Sequence, residues 1–139
     1  MAKLVVKGTV IKQDIGGVLT PVAQIISFGH DGAESETFEC TTIDTAGAGK
    51  EYASTGYSEG GSFDFEVFYD PALAGHQSLT DDITTPPASG RDYLIEYTDA
   101  ASVNTFNAAG IGISITGAMN DGLKASISLK LNQLMVYTT

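Results

Sequence analysis

Few side chains in this 139-residue chain could carry out a reaction, and none of them falls into a reactive pattern. The two histidines, His30 and His76, and the single cysteine, Cys40, lie far apart and lack the ligand spacing of a zinc site. His30 belongs to Gly29-His30-Asp31-Gly32, a turn signal that places it in solvent. His76 falls on the inner stripe of an expected helix, which suits a hydrogen-bonded structural histidine better than a ligand. Cys40 sits between Glu39 and Thr41 in a strand pattern, where a packed thiol is expected, and a lone cysteine excludes an internal disulfide. Gly47-Ala48-Gly49-Lys50-Glu51 has the lysine of a phosphate-binding loop. It lacks the leading glycine, however, and puts Glu51 where Ser or Thr must bind Mg²⁺. Asp81 and Asp82 are neighbours at a helix end, and Asp31, Asp44 and Asp121 occupy turns. There is no calcium loop and no G-x-S-x-G elbow. The chain reads as a non-enzyme with no metal and no cofactor.

Charge narrows the partners. Seven basic against seventeen acidic residues give a net charge of −10. Affinity for a phosphate backbone needs cations that release its counterions, so this chain is expected to repel nucleic acid. No run approaches the ~18 apolar residues of a membrane helix, and the N-terminus has no apolar segment of the secretory type. Synthesis in the cytoplasm is the expectation. A hydrophobic fraction of 42% supports a packed core, most simply one domain over residues 1–139.

The elements that would hold these residues are mostly strands. Lys3–Lys12 and Val18–Phe28 are β-rich runs around the hairpin turn Asp14-Ile15-Gly16-Gly17, and Pro21 marks an edge or bulge. The first run is apolar on both faces, as a strand covered on both sides would be. Glu36–Ile43 and Ser62–Tyr69 alternate; in the latter Phe63, Phe65, Val67 and Tyr69 oppose Asp64, Glu66 and Phe68. Residues 44–61 read as a long flexible loop, rich in Gly and Ala, that is suited to ordering on assembly. Asp70 is expected to cap a short helix over 71–83 with Pro71 at its first position. Strands follow at Arg91–Thr98, Val103–Ala108, Ala109–Gly117 and Leu123–Leu131, the last two joined by Asn120-Asp121-Gly122. The fold class expected is mainly β: two packed antiparallel sheets, as a sandwich or partly closed barrel, with one short flanking helix.

The order of these blocks resembles the major tail tube proteins of long-tailed, lambda-like phages and related phage-derived particles. The residues carrying the resemblance are Thr41-Thr42-Ile43-Asp44, Lys50-Glu51, Gly60-Gly61-Ser62-Phe63-Asp64-Phe65-Glu66 and Asp70-Pro71…Gly75-His76-Gln77-Ser78-Leu79. The common Pro-Gly-Leu of that family is replaced here by Thr55-Gly56-Tyr57. The resemblance implies a structural virion protein of the phage tail that forms hexameric rings stacked into a hollow tube through which DNA passes without specific binding. Its partners would be further copies of itself and the tail tip, tape-measure and tail terminator proteins. Glu39, Asp64 and Glu66 are then the expected lumen-facing carboxylates. Lys50, Glu51, Tyr52 and Tyr57 are the expected ring-stacking contacts. Two other readings stay open: the inner tube of a contractile tail or injection system, and a monomeric β-sandwich binding module. The latter would need Tyr69, Tyr93 and Tyr97 as an exposed platform.

Overall fold

The structure, a computed structural model, describes residues 4, 7–44, 46–98 and 102–138. Among the described residues the chain is mainly β, with two antiparallel sheets, one helix and no closed barrel. Along the chain come β1 (Val10–Ile15), β2 (Val18–Pro21), β3 (Ile25–Asp31), β4 (Glu34–Glu39), β5 (Tyr52–Glu59), β6 (Ser62–Phe68), α1 (Ala74–Thr84), β7 (Arg91–Glu96), β8 (Val103–Thr116), β9 (Lys124–Leu131) and β10 (Val136–Thr138).

Eight strands form the large sheet in the order β2-β1-β7-β8-β9-β6-β3, with β10 also paired to β8. Fourteen residues long, β8 serves two half-sheets. Val103–Ala108 pairs with β7 and, on its other side, β10, whereas Ala108–Thr116 pairs with β9. The register shifts between Ala108 and Gly110, an irregularity of the kind that bends a strand and lets one sheet turn back over itself. Across the resulting core, Phe63 of β6 meets Phe106 of β8 at 5.2 Å between ring centroids, and Phe106 stacks on Tyr93 at 5.3 Å. Alternating residues of β6 and β9 supply about half of the core, with Phe63, Phe65, Val67, Ala125, Ile127, Leu129 and Leu131 all buried, and Ile11, Val22, Leu79, Ile95, Ala108 and Met135 join them.

Helix α1 packs against β8 and β2. It starts three residues later than expected, because Asp70 closes a preceding turn. Asp70 Oδ1 accepts from the Ala72 amide at 2.9 Å, and Leu73 stands at the helix N-cap with no side-chain cap. Gly75 lets the helix approach closely, since a Cβ there would lie 2.7 Å from the Pro21 carbonyl oxygen. His76 is fully buried and structural: Nδ1 accepts from the Asp70 amide at 3.0 Å and Nε2 donates to the Ala23 carbonyl at 2.7 Å. Ile83, one turn beyond buried Leu79, is exposed, and it is buried Asp82 that lies on the inner side. Its two oxygens accept from Arg91 Nε and Nη2, both at 2.6 Å, and Arg91 Nη1 donates to the Asp14 carbonyl at 2.7 Å. This fork ties the helix end to β7 and to the end of β1.

Several expected boundaries move. Residues 44–61 are not one flexible loop: Tyr52–Glu59 is a strand paired with β4, leaving only the intervening tip as connection. Gly29-His30-Asp31 is the end of β3 rather than a turn, and His30 is half-buried, not solvated. The Val18–Phe28 run splits into β2 and β3 around Val22–Gln24, and Pro21 lies on the edge strand. Lys3, Val5 and Val6 of the first run lie outside the described residues.

Candidate functional site

Strands β3, β6, β9 and the Gly110–Thr116 half of β8 form a four-stranded unit with two unlike faces. Because side chains alternate, each cross-strand row is wholly inward or wholly outward. Rows such as Phe28–Phe65–Ile127–Ile113 face the core. The outward rows are small and polar: Gly29–Asp64–Ser128–Gly112, then Ser27–Glu66–Ser126–Ser114. Together with the row between them, Phe28–Phe65–Ile127–Ile113, these eight residues line an open concavity of about 600 Å³. Asp64 and Glu66 stand at its middle, with Lys130 one row beyond Asp64 and Lys124 one row beyond Glu66. Lys124 Nζ lies 3.3 Å from Asp121, whose carboxyl is held below its ordinary range by that partner and by the Gly122 amide.

Both outer edges of this unit are unpaired among the described residues. β3 ends the strand order, and Gly110–Thr116 has β9 on one side only. Unpaired edges template further strands unless something blocks them, and here no proline does. The outward residues on the edge strands themselves, Ser27, Gly29, Gly112 and Ser114, are small.

From one end of β3 and β6 springs a ribbon of β4 and β5, whose extensive contacts are only with each other. It brings together Glu39, Lys50, Glu51 and Tyr52 near its tip, whereas Tyr57 lies five residues farther along β5, towards the root. Glu39 is therefore remote in kind from Asp64 and Glu66: it pairs across the ribbon with Tyr52 and lies 3.8 Å from Lys50, an exposed pair that adds little stability. The ribbon carries Phe38, Ile43, Tyr52 and Tyr57 in exposed positions. Its tip is closed by the Cys40 amide donating to the Glu51 carbonyl at 2.9 Å and the Glu51 amide donating to Thr41 Oγ1 at 2.7 Å. The Thr42 hydroxyl donates to Asp44 at 2.6 Å and lowers that carboxyl's pKa.

The root of the ribbon is closely packed backbone against backbone. Gly61 has φ +75°, and a Cβ on it would lie 2.0 Å from the Asp31 carbonyl oxygen. Gly60 is equally confined, 2.4 Å from the Gln133 carbonyl oxygen by the same measure. His30 Nε2 donates to the Gly60 carbonyl at 2.7 Å, and the Leu131 amide to the Gly61 carbonyl at 3.2 Å. Sequence reading missed His30 in this role, and it took Gly60-Gly61 as the end of a loop and as part of the motif that carries the family resemblance. The adjacent pair of glycines was the available signal. No group of three or more His, Cys, Asp or Glu residues is arranged to hold a metal among the described residues, and no helix among them is long and apolar enough to cross a membrane.

No protein-family model and no curated protein matches the sequence. Solved structures do match in shape. A chain in the tail of an empty gene transfer agent (GTA) particle, solved with C6 symmetry, superposes with TM-score 0.75 at 12% identity, covering 94% of this chain and 95% of that one. A chain of the native GTA virion gives TM-score 0.75 at 13% identity, covering 99% and 100%. A chain from the sheath/tube terminator of an extracellular contractile injection system, PVC, in its extended state gives 0.71 at 12%, covering 100% and 99%. Over essentially its whole length, the chain has the fold of these chains from phage-like tails and injection systems.

Proposed function

We propose that the protein is a structural tail tube subunit that closes into hexameric rings, stacked into a hollow tube through which DNA passes. The observation that carries this is the four-stranded unit whose outward rows are small and polar and whose two edges are unpaired among the described residues. Joining the β3 edge of one copy to the Gly110–Thr116 edge of the next removes both edges and continues the concave face around a lumen. The C6 symmetry of the GTA tail supports six copies. In this reading the lumen bears Asp64 and Glu66. Glu39 belongs with the ribbon, whose residues Lys50, Glu51, Tyr52 and Tyr57 contact the adjacent ring. The lumen carboxylates keep phosphates at a distance, over the ~8–10 Å that salt allows, so that DNA slides without being gripped. The protein then belongs to the virion tail, acts without catalysis, and meets tail tip, tape-measure and terminator proteins at the tube's ends and interior.

Negative-stain electron microscopy of the purified chain across a concentration series tests the reading. Rings or hollow tubes are expected, and a monomer at every concentration, with tail-tip seeds present, refutes it. The PVC likeness favours a second reading, an inner tube inside a contractile sheath. Co-purification of tubes with a co-expressed sheath protein would select it.

A further inference from the structure

The outward face of the four-stranded unit is not uniformly acidic. At the end from which the ribbon springs, the row beyond Asp64 is Asp31–Ser62–Lys130–Gly110. Lys130 and Ser62 are direct cross-strand partners, and Ser128 precedes Lys130 by one pleat on the same face of β9. An ammonium and two hydroxyls thus stand together, and all three line an open concavity of about 700 Å³. Building on the tube reading, we propose that Lys130, with Ser62 and Ser128, is a transient contact for the phosphates of the passing duplex, repeated in every copy around the ring.

Three observations support this contact and set its strength. First, among the described residues Lys12, Lys50, Arg91 and Lys124 each form an ion pair, whereas exposed Lys130 forms none. Its ammonium keeps its donors for a ligand. Second, a lysine with hydroxyls beside it matches a phosphate oxygen, which takes one charge-assisted bond and further bonds from Ser hydroxyls. Third, carboxylates surround the group without pairing with it. Asp64 is its diagonal neighbour, at roughly 7–8 Å between Cα atoms, and Asp31 and Glu59 line the same concavity. They lower the positive potential at Lys130, so one copy alone holds no phosphate at ordinary salt. A duplex confined within a ring meets the same group in every copy at high local concentration, and each contact forms and breaks readily. The carboxylate rows therefore act on Lys130 as well as on the DNA.

Tubes of the wild type, of Asp64→Asn/Glu66→Gln, and of that pair combined with Lys130→Ala or with Lys130→Arg are sedimented with a short fluorescent DNA duplex over a salt series. Electron microscopy of the same samples verifies the tubes. The Asp64→Asn/Glu66→Gln tubes should retain roughly tenfold more duplex than wild type at low salt and release it as salt rises. Adding Lys130→Ala should return retention to the wild-type level, and adding Lys130→Arg should preserve it. Wild-type tubes give a second reading that needs no variant. With saturating duplex at low salt, acetylation of Lys130 should slow while that of Lys12, paired with Glu96 on the other half-sheet, should not. Retention that survives Lys130→Ala, no retention by the Asp64→Asn/Glu66→Gln tubes, or unchanged acetylation of Lys130 overturns the phosphate contact and leaves the tube reading standing. A wild-type chain that never passes beyond the monomer overturns the tube reading and this inference with it.

Discussion

Replacing Gly61 by alanine should detach the ribbon from its root, and a comparison with Gly56 separates the two causes. Both glycines have positive φ, +75° and +86°, so either alanine bears the left-handed penalty of about 1–2 kcal/mol. Each recovers about 0.4–1 kcal/mol through a less flexible unfolded chain. Around Gly56 a Cβ meets nothing within 4 Å, so Gly56→Ala should cost only about 1 kcal/mol. At Gly61 the Cβ would stand 2.0 Å from the Asp31 carbonyl oxygen and 2.6 Å from the Gly32 carbonyl carbon, both backbone atoms that no rotamer change can clear. The two passing segments must part, which breaks the bonds from His30 to Gly60 and from Leu131 to Gly61 at about 1 kcal/mol each. The total for Gly61→Ala is about 3 kcal/mol, a urea midpoint lower by about 2 M at a slope of roughly 1.5 kcal/mol/M. Urea unfolding followed by circular dichroism gives the midpoints, and hydrogen exchange locates the loosened amides at Gly61 and Leu131. Equal midpoints for the two variants would refute the argument, because they would show that the close approach at the root contributes nothing.

Three further outcomes follow from the geometry. Asp82→Asn removes the charged acceptor of a forked, largely buried guanidinium and should cost about 3–5 kcal/mol in thermal or urea unfolding, whereas Asp82→Leu with Arg91→Met should cost far less. Burial, followed by the field of Asp82, raises the pKa of Tyr93 in the folded chain. A raised folded-state pKa leaves that stability intact below the unfolded tyrosine's value of about 10, and above it stability falls by up to about 1.4 kcal/mol per pH unit. The Gln13→Leu/Tyr93→Phe pair, which removes the phenol and the Gln13 Oε1 that has no partner, should flatten much of that alkaline decline. Finally, Asp64→Lys/Glu66→Lys subunits should still build tubes, but those tubes should retain short DNA duplexes at low salt and release them as salt rises, read by co-sedimentation; no retention would remove Asp64 and Glu66 from the lumen.

What could be read from the sequence followed burial. β6 and β9 show strict alternation because one face meets the core, and their inward and outward sets are legible residue by residue. β5 was illegible for the converse reason. Tyr52-Ala53-Ser54-Thr55-Gly56-Tyr57-Ser58-Glu59 belongs to a ribbon covered on neither side, so no periodicity is imposed on it. The separation of Glu39 from Asp64 and Glu66 was equally hidden: all three alternate with aromatic residues, and only pairing reveals that Glu39 lies in a different sheet. The fork from Arg91 to Asp82 arises between a helix end and a strand start, where no local pattern announces a partner.

One property of the concave unit concerns parity. Its four strands run alternately up and down, so β3 and the second half of β8, at the two edges, point in opposite directions. When copies stand side by side in the same orientation, β8 of one therefore meets β3 of the next antiparallel, the more stable of the two ladders. An odd number of strands would force a parallel seam at every junction. An even number makes each seam the same kind of ladder as those inside the subunit, so the hydrogen-bonded wall has no structurally distinct joint and the subunit boundary vanishes from its backbone pattern.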